Sequence, residues 1–309
     1  MRLSFIKCHG SGNDFAMVDA RGMRLSDGDW AGAARALSDR AGPVGADGLI
    51  LLTDAEVRDG GARLGYRMFN PDGSEAETCL NGLRCVARMG FETLGVDRAD
   101  ARLVGSTAAV ERDAEIAPGV YTVREAATAS LDAGAWLRTG RARVVDEAVP
   151  PLGTWLWTAV SIPNPHLVAF VELVDEAQLI ATGEICEAAP DWLPGRANVS
   201  FVEVRGPDLF VRTFERGAGL TDSCGSAMAA STFAACVTGR IVWRRPTTVW
   251  NRGGLVRAEA QEDGTVSLSG NATYEWAGEA DVRDGVAGGL RVTRRFGDEV
   301  EAWAAARGG

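Results

Sequence analysis

Two cysteines stand in matched surroundings. Residues 67–79 read RMFNPDGSEAETC and residues 212–224 read RTFERGAGLTDSC, so Arg67, Phe69 and Cys79 recur at the same offsets as Arg212, Phe214 and Cys224. Each cysteine opens a helix-like run. The unpaired amides and the dipole of a helix start stabilise an anion, and a thiol placed there can ionise below its ordinary pKa of about 8.5. Gly225 and Ser226 leave the amides of the second turn open to a carboxylate. Leu80, Asn81 and Gly82 offer the first turn's amides in the same way, although Leu80 is bulkier than that role needs. Two such thiols on opposite faces of one carbon could invert a stereocentre. One, as thiolate, removes the proton; the other, as thiol, protonates the far face, with no cofactor. The carbanion lies beside a carboxylate and needs N–H donors aimed at its developing enolate oxygens. With each sulfur roughly 3–3.5 Å from the carbon, the sulfurs stand about 6–7 Å apart.

Other chemistries are less well served. The remaining cysteines are Cys8, Cys85, Cys186 and Cys236, of which Cys85 and Cys236 fall inside their helices and read as core. No Cys/His cluster has zinc-ligand spacing, and no metal is expected. A Cys-x-x-Cys redox motif is missing. A thiol protein that closes a Cys79–Cys224 disulfide therefore stands as a weaker alternative. Only His9 and His166 are histidines, and a structural histidine is the plainer reading of His166. The glycine loops GSGND and GADG are ordinary turn signals.

The elements that must carry these thiols come in two passes. RLSFIKCHG and FAMVDA read as strands joined by a polar turn, residues 28–41 have helical spacing, and GLILLT and RLGYRMFN read as strands. The first cysteine-led helix follows and stops at Gly95. Short strands fill 100–125. LWTAVSIPNPHLVAFVE then repeats strand, turn, strand, followed by a polar loop, two strands, the second cysteine-led helix, and strands at 241–270. Asn13 and Asn164 sit at corresponding places, 151 residues apart. The tail GDEVEAWAAARGG reads as a surface helix that frays.

With 309 residues there is room for two domains. The net charge of −10 argues against a nucleic-acid partner. No apolar run is long enough for a membrane span, and the first residues lack a secretory signal, so a cytoplasmic protein is expected.

At HGSGNDFAMVD, GPVGADGL, FNPDGSEAETCLNGLRC, SIPNPHLV, RANVSFVEV, FERGAGLTDSCGS and LSGNATYEWAGE the sequence resembles the diaminopimelate epimerase family. The resemblance covers all but about the last thirty residues. It implies a cofactor-independent isomerase that interconverts LL- and meso-diaminopimelate, a step towards lysine and peptidoglycan. The implied fold is α/β (α+β): two pseudo-symmetric domains, each a β-barrel-like sheet around a central helix, with the active site in the cleft between them. The boundaries expected are 1–118, completed by about 273–309, for the lobe carrying Cys79, and 119–272 for the lobe carrying Cys224. A homodimer is implied as well.

By this resemblance Cys79 and Cys224 are the catalytic pair, and His166 and Glu215 assist proton movement. The amides of Leu80, Asn81, Gly225 and Ser226 bind the reacting carboxylate. Asn70, Asn164, Asn198 and Arg216 take the distal carboxylate, and Asn13 is a further substrate contact. Arg216 would give a charge-assisted grip and the amides direction. Leu80, Pro163, Leu220, Asp222 and Ala227 depart from the family pattern. A cofactor-independent racemase of another amino acid, such as histidine, is the alternative within enzymes.

Overall fold

A computed structural model describes residues 1–58, 61–76 and 79–308. Glu77 and Thr78 of the first cysteine motif lie outside the described residues. The chain divides into two compact units, Met1–Glu125 with Ser269–Gly309, and Ala126–Leu268.

The first unit begins with strands β1 (Arg2–Gly10) and β2 (Asn13–Asp19), helix α1 (Asp27–Ser38), and strands β3 (Gly48–Arg58), β4 (Gly61–Phe69) and β5 (Glu75–Ala76). Helix α2 (Leu80–Leu94) and strands β6 (Arg98–Arg102) and β7 (Thr107–Arg112) follow. Strand β8 (Thr122–Thr128) leads into the second unit, where β9 (Glu147–Ala148) precedes β10 (Leu156–Ile162), β11 (Asn164–Phe170) and α3 (Glu176–Glu187). Then come β12 (Asn198–Arg205), β13 (Asp208–Glu215), β14 (Gly219–Thr221), α4 (Gly225–Val237), β15 (Thr247–Trp250) and β16 (Leu255–Ala260). Strand β17 (Thr265–Asn271) leads back to β18 (Thr273–Arg283), β19 (Val286–Arg295) and α5 (Gly297–Arg307).

The two units repeat one topology. β1–β2 is antiparallel, β2–β3 parallel, β3–β4 and β4–β5 antiparallel, β4–β6 parallel and β6–β7 antiparallel. The run β10 to β16 pairs in the same senses and order. Register repeats too. Leu49 faces Phe69 and Phe69 faces Glu75; Val199 faces Phe214 and Phe214 faces Leu220. Helix α2 packs against β1, β2, β3, β4, β6 and β7, and α4 against the six equivalent strands of its own unit. Each unit is thus a sheet around a central helix, as the resemblance implies. The barrel-like expectation needs one correction: the strand pairings leave the sheet open.

Strands next to a central helix are buried on both faces, which their near-continuous apolar runs require. Phe15 and Ile50 approach Gly82 of α2. Their neighbours Ala16, Val18, Leu49 and Leu51 join the cluster with Trp30 and Leu37 of α1, as period-two alternation dictates. Across the second unit, Val199 and Phe201 pack with Leu179 and Cys186 of α3.

The duplicated arginine and phenylalanine now have a physical role. Arg67 donates to Glu75 (2.7 Å) and to Asp27 (2.8 Å), the first residue of α1. Arg212 donates to Glu176 (2.8 Å), the first residue of α3, and to the carbonyl of Thr221 (2.8 Å). Each ties the segment ahead of its cysteine to the preceding helix. Phe69 and Phe214 anchor the same segments in the core.

The C-terminal helix is not a frayed surface element. Trp303 is buried and its ring lies 5.7 Å from that of His9. Glu299 accepts from Arg88 (2.5 and 2.9 Å) and from the amide of Tyr274 (3.1 Å). A fully buried tryptophan contributes roughly 3–5 kcal/mol against truncation to alanine. Trp303→Ala should therefore lower the urea unfolding free energy by about 3 kcal/mol, whereas Val300→Ala, at an exposed site, should stay within about 0.5 kcal/mol. Equal effects would contradict a docked helix.

Candidate active site

Both cysteines occupy helix N-caps. Cys79 (φ −141°, ψ 105°) precedes α2 and Cys224 (φ −130°, ψ 110°) precedes α4. A side chain at this position ordinarily accepts from the amide three residues on. At α2 a sulfur takes that place, the Gly82 amide donating to Cys79 Sγ (3.5 Å); Cys224 makes no such cap hydrogen bond, and the Ala227 amide only draws its thiol pKa down slightly. Gly82 has to lack a side chain, because a Cβ would sit 2.8 Å from Tyr66 Oη and 3.1 Å from Ile50. In the second unit the residues 145 on are Ala227 and Val211, a larger residue on the helix matched by a smaller one on the strand. Leu80 is buried.

Around Cys79 the first unit gathers amide groups. The Cys79 thiol faces Asn13 Oδ1 (3.6 Å), and Asn81 Nδ2 donates to the same oxygen (3.4 Å). The orientation of Asn13 is fixed from behind, since its Nδ2 donates to Asp47 Oδ2 (2.7 Å). Arg40 holds Asp47 (2.6 Å) and Asp14 (2.5 Å). Asp47 is the acid of the GADG loop, a segment that reads in sequence as an ordinary turn. Tyr66 was not foreseen either; its hydroxyl donates to the Cys79 carbonyl (3.1 Å). Asn70 lies at the end of β4, where its Nδ2 donates to Ser74 Oγ (3.0 Å) in a turn closed by Gly73.

The second unit surrounds Cys224 differently. The parallel register sets His166 opposite Asn198, and Asn198 Oδ1 accepts from the Arg216 amide (2.9 Å). That fixes Asn198 Nδ2 towards His166 Nε2 (3.4 Å), which also meets Asn164 Oδ1 (3.2 Å). One ring position can serve only one of these partners at a time, so the two amides compete for the tautomer. Asn164 Nδ2 donates to Ser226 Oγ (3.4 Å), and Ser226 Oγ lies 3.5 Å from Cys224 Sγ. Glu215, at the end of β13, accepts from Thr221 Oγ1 (2.5 Å). The Arg216 guanidinium is exposed and donates to the Gly195 carbonyl (3.1 Å).

The electrostatics of Cys224 run against the helix-start expectation. Its thiol is pushed well above the ordinary range, by burial first and then by the Glu215 carboxylate; Ser226 and the Ala227 amide oppose this without overcoming it. Cys224 is a neutral thiol at rest. His166 is pushed down to about 3 by burial, with the Arg216 charge adding to it, so the ring is neutral and a poor base. Its Nδ1 has no hydrogen-bond partner among the described residues. His9 is lowered to about 4, again mainly by burial.

Comparison with known proteins gives the fold first, then the family. By fold, the chain shares the architecture of a group of small-molecule isomerases and phenazine-biosynthesis proteins. A phenazine biosynthesis protein of the PhzF family from Enterococcus faecalis superposes with a TM-score of 0.64 at 16% identity, over 91% of this chain and 100% of that one. A hydroxyproline epimerase from Agrobacterium vitis does so with a TM-score of 0.62 at 12% identity, over 99% and 97%. By sequence the match is narrower. The diaminopimelate epimerase family model matches residues 5–115 and 158–275. The diaminopimelate epimerase of Moorella thermoacetica is 37% identical over 294 residues, covering 90% of this chain and 99% of the relative. That of Clostridium acetobutylicum is 34% identical over 288 residues, covering 90% and 85%. The chain belongs to the diaminopimelate epimerase family.

Two neutral buried histidines have a consequence for stability. Unfolded, each titrates near 6.5; folded, they titrate at about 4 and about 3. A lowered histidine pKa contributes stability above pH 6.5 that is lost as the pH falls towards the folded value. Glu125, raised to about 7 by burial against the pull of Arg84, works the other way: its contribution is full below its unfolded value and lost as the pH rises through 7. Between pH 6.5 and 4.5 the two histidines outweigh the one carboxyl, and the unfolding free energy should fall by roughly 1.4 kcal/mol per pH unit on acidification. Urea titrations at pH 6.5 and 5 should show this fall, and a smaller one in His166→Gln. Equal slopes in both proteins would contradict the assignment.

Proposed function

We propose that this chain interconverts LL- and meso-diaminopimelate without a cofactor, with Cys79 and Cys224 as its acid–base pair. One observation carries the reading: a cysteine occupies the N-cap position at the head of the central helix in each of two topologically equivalent units. Family membership supports the substrate. The inversion needs one sulfur on each face of the same carbon, and each unit supplies one.

Starting with the epimer whose α-hydrogen meets Cys79, the Cys79 thiolate forms an S–H bond and the C–H electron pair stays on Cα. That pair delocalises into the carboxylate, whose oxygens are met by first-turn amides of Leu80, Asn81, Gly225 and Ser226. Cys224, neutral at rest, gives its proton to the opposite face. The sulfurs have then exchanged protonation states, and the reverse reaction uses them in exchanged roles. The Glu215 carboxylate beside Cys224 is the group that takes the thiol proton when Cys224 must serve as base. His166, held down near 3, orients Asn164 and Asn198 instead of accepting that proton.

Arg216 binds the distal carboxylate, with Asn70, Asn164 and Asn198 supplying direction and Asn13 a further contact. A substrate lacking that carboxylate leaves these donors unpaired, which discriminates against ordinary amino acids. The same reading makes the protein a cytoplasmic homodimer working on a free amino acid, in the supply of lysine and peptidoglycan.

Purified protein without added cofactor should epimerise diaminopimelate. Cys79→Ala and Cys224→Ala should each lower kcat by at least about 10³-fold, with Cys85→Ala, in the core of α2, retaining most activity. An active Cys224→Ala variant would contradict the two-base reading, and preferential turnover of histidine or another amino acid would contradict the substrate. Loss of a charge-assisted contact is worth about 1.5–3 kcal/mol. Arg216→Met should therefore raise KM for diaminopimelate roughly 10–100-fold without changing the unfolding midpoint; an unchanged KM would refute its role.

A further inference from the structure

The first unit holds a buried guanidinium that the scheme above leaves unused. Arg84, on α2 three residues after Asn81, is fully buried. Its Nη1 donates to Glu125 Oε1 (2.6 Å), its Nε to the Asn271 carbonyl (3.2 Å), and its Nη2 to both Ser11 Oγ (3.1 Å) and Asn81 Oδ1 (2.7 Å). Space for it is kept by glycines. A Cβ on Gly270 would lie 2.7 Å from Arg84 Cζ, and one on Gly10 would lie 3.1 Å from Nη2 and 2.6 Å from the Asn81 carbonyl. The other oxygen of Glu125, Oε2, is buried with no hydrogen-bond partner among the described residues. For simple stability, an apolar residue in place of such a buried pair would often serve as well or better.

What this guanidinium grips explains its retention. β1 and β2 are joined by the two-residue turn Ser11-Gly12, between the paired residues Gly10 and Asn13. Both turn residues have positive φ, 52° and 84°, the conformation of a type I′ hairpin. Serine adopts it at a cost, so the turn must be held from outside. Arg84 holds the Ser11 hydroxyl and Asn271 Oδ1 accepts from the Ser11 amide (2.6 Å). The first residue after the turn is Asn13, whose Oδ1 faces Cys79 Sγ. The other arm of Nη2 holds Asn81, which donates to that same Asn13 oxygen. The equivalent of Arg84 in the second unit, 145 residues on, is Ala229. The device serves only Cys79.

We propose that Arg84 is a positioning residue for proton transfer at Cys79: one guanidinium locks the hairpin carrying Asn13 and the helix turn carrying Asn81 around a single sulfur. This rests on Cys79 being one of the two acid–base groups. Loosening Arg84 displaces the sulfur's partners by fractions of an ångström and slows the Cys79 proton transfer without touching the Cys224 step. In one direction Cys79 removes the substrate proton and in the other it donates the last one, so slowing it alone makes the substrate isotope effects of the two directions unequal, while the equilibrium constant still fixes the ratio of their kcat/KM values.

Ser11→Gly tests this cleanly, because glycine accepts the positive φ and only the hydroxyl is lost; Arg84→Lys, which keeps the charge but loses the fork, is the stronger second variant. With α-protio and α-deutero substrate of each epimer, kcat should fall about tenfold in Ser11→Gly and about a hundredfold in Arg84→Lys, with KM within about threefold. The deuterium effect on kcat/KM should rise for the epimer whose proton Cys79 removes and fall towards unity for the other. A merely structural role lowers the active fraction and leaves both isotope effects as in the wild type; that outcome, or unchanged kcat in Ser11→Gly, overturns the proposal. If Cys79→Ala itself keeps its activity, the underlying two-base reading has failed instead.

Discussion

The arrangement depends on leaving the first turn of each central helix uncapped by an oxygen. Amides at a helix start need an acceptor, and serine or aspartate would normally supply it. A cysteine fills the geometric position with a larger, weaker acceptor, and on the proposed reading the following amides take the reacting carboxylate. The rest of the fold serves that choice. Parallel and antiparallel pairings repeat in both units so that a buried helix starts beneath strand ends rich in amide side chains. Arg67 and Arg212 tie down the segments leading to each cap. Glycine at the third helical position of α2 lets that helix approach Tyr66 and Ile50 of its sheet closely.

Equal backbones carry unequal chemistry. The positions of His166, Asn198 and Glu215 in the second unit are held by Phe15, Gly48 and Asn70 in the first, according to the repeated register. Cys224 is kept protonated by burial, with the Glu215 carboxylate adding to it, whereas Cys79 faces neutral amides braced by Asp47 and Arg84. On the proposed two-base scheme, a duplicated framework in which one half rests as acid serves a reversible inversion, because the two states would exchange with every turnover.

Much of the architecture was legible because its signals are local. Strands such as RLSFIKCHG, the helix stop at Gly95 in a left-handed conformation, and the cysteine-led helices all announce themselves within ten residues. Helix α3 was missed. Its buried residues Leu179, Thr182, Gly183 and Cys186 make a weak apolar stripe, with Gly183 there to admit Phe214. The hairpin of β18 and β19 was missed because so much of β19 is exposed. For the tail, a single tryptophan decides docking, and no periodicity reports its partner. In the site, residue types were readable and their electrostatics were not. The pull of Glu215 on Cys224 follows from the tight return of β13 into β14, and a helical arginine such as Arg84 reads in sequence as a solvated face.

The two-base account is tested most directly by the fate of the α-hydrogen at early times in deuterated water. Starting from LL-diaminopimelate, the account predicts that the first meso product carries deuterium at the inverted carbon while unreacted LL substrate keeps its hydrogen. Early product that retains the original hydrogen would mean that one group carries the same proton across both faces, and would contradict it.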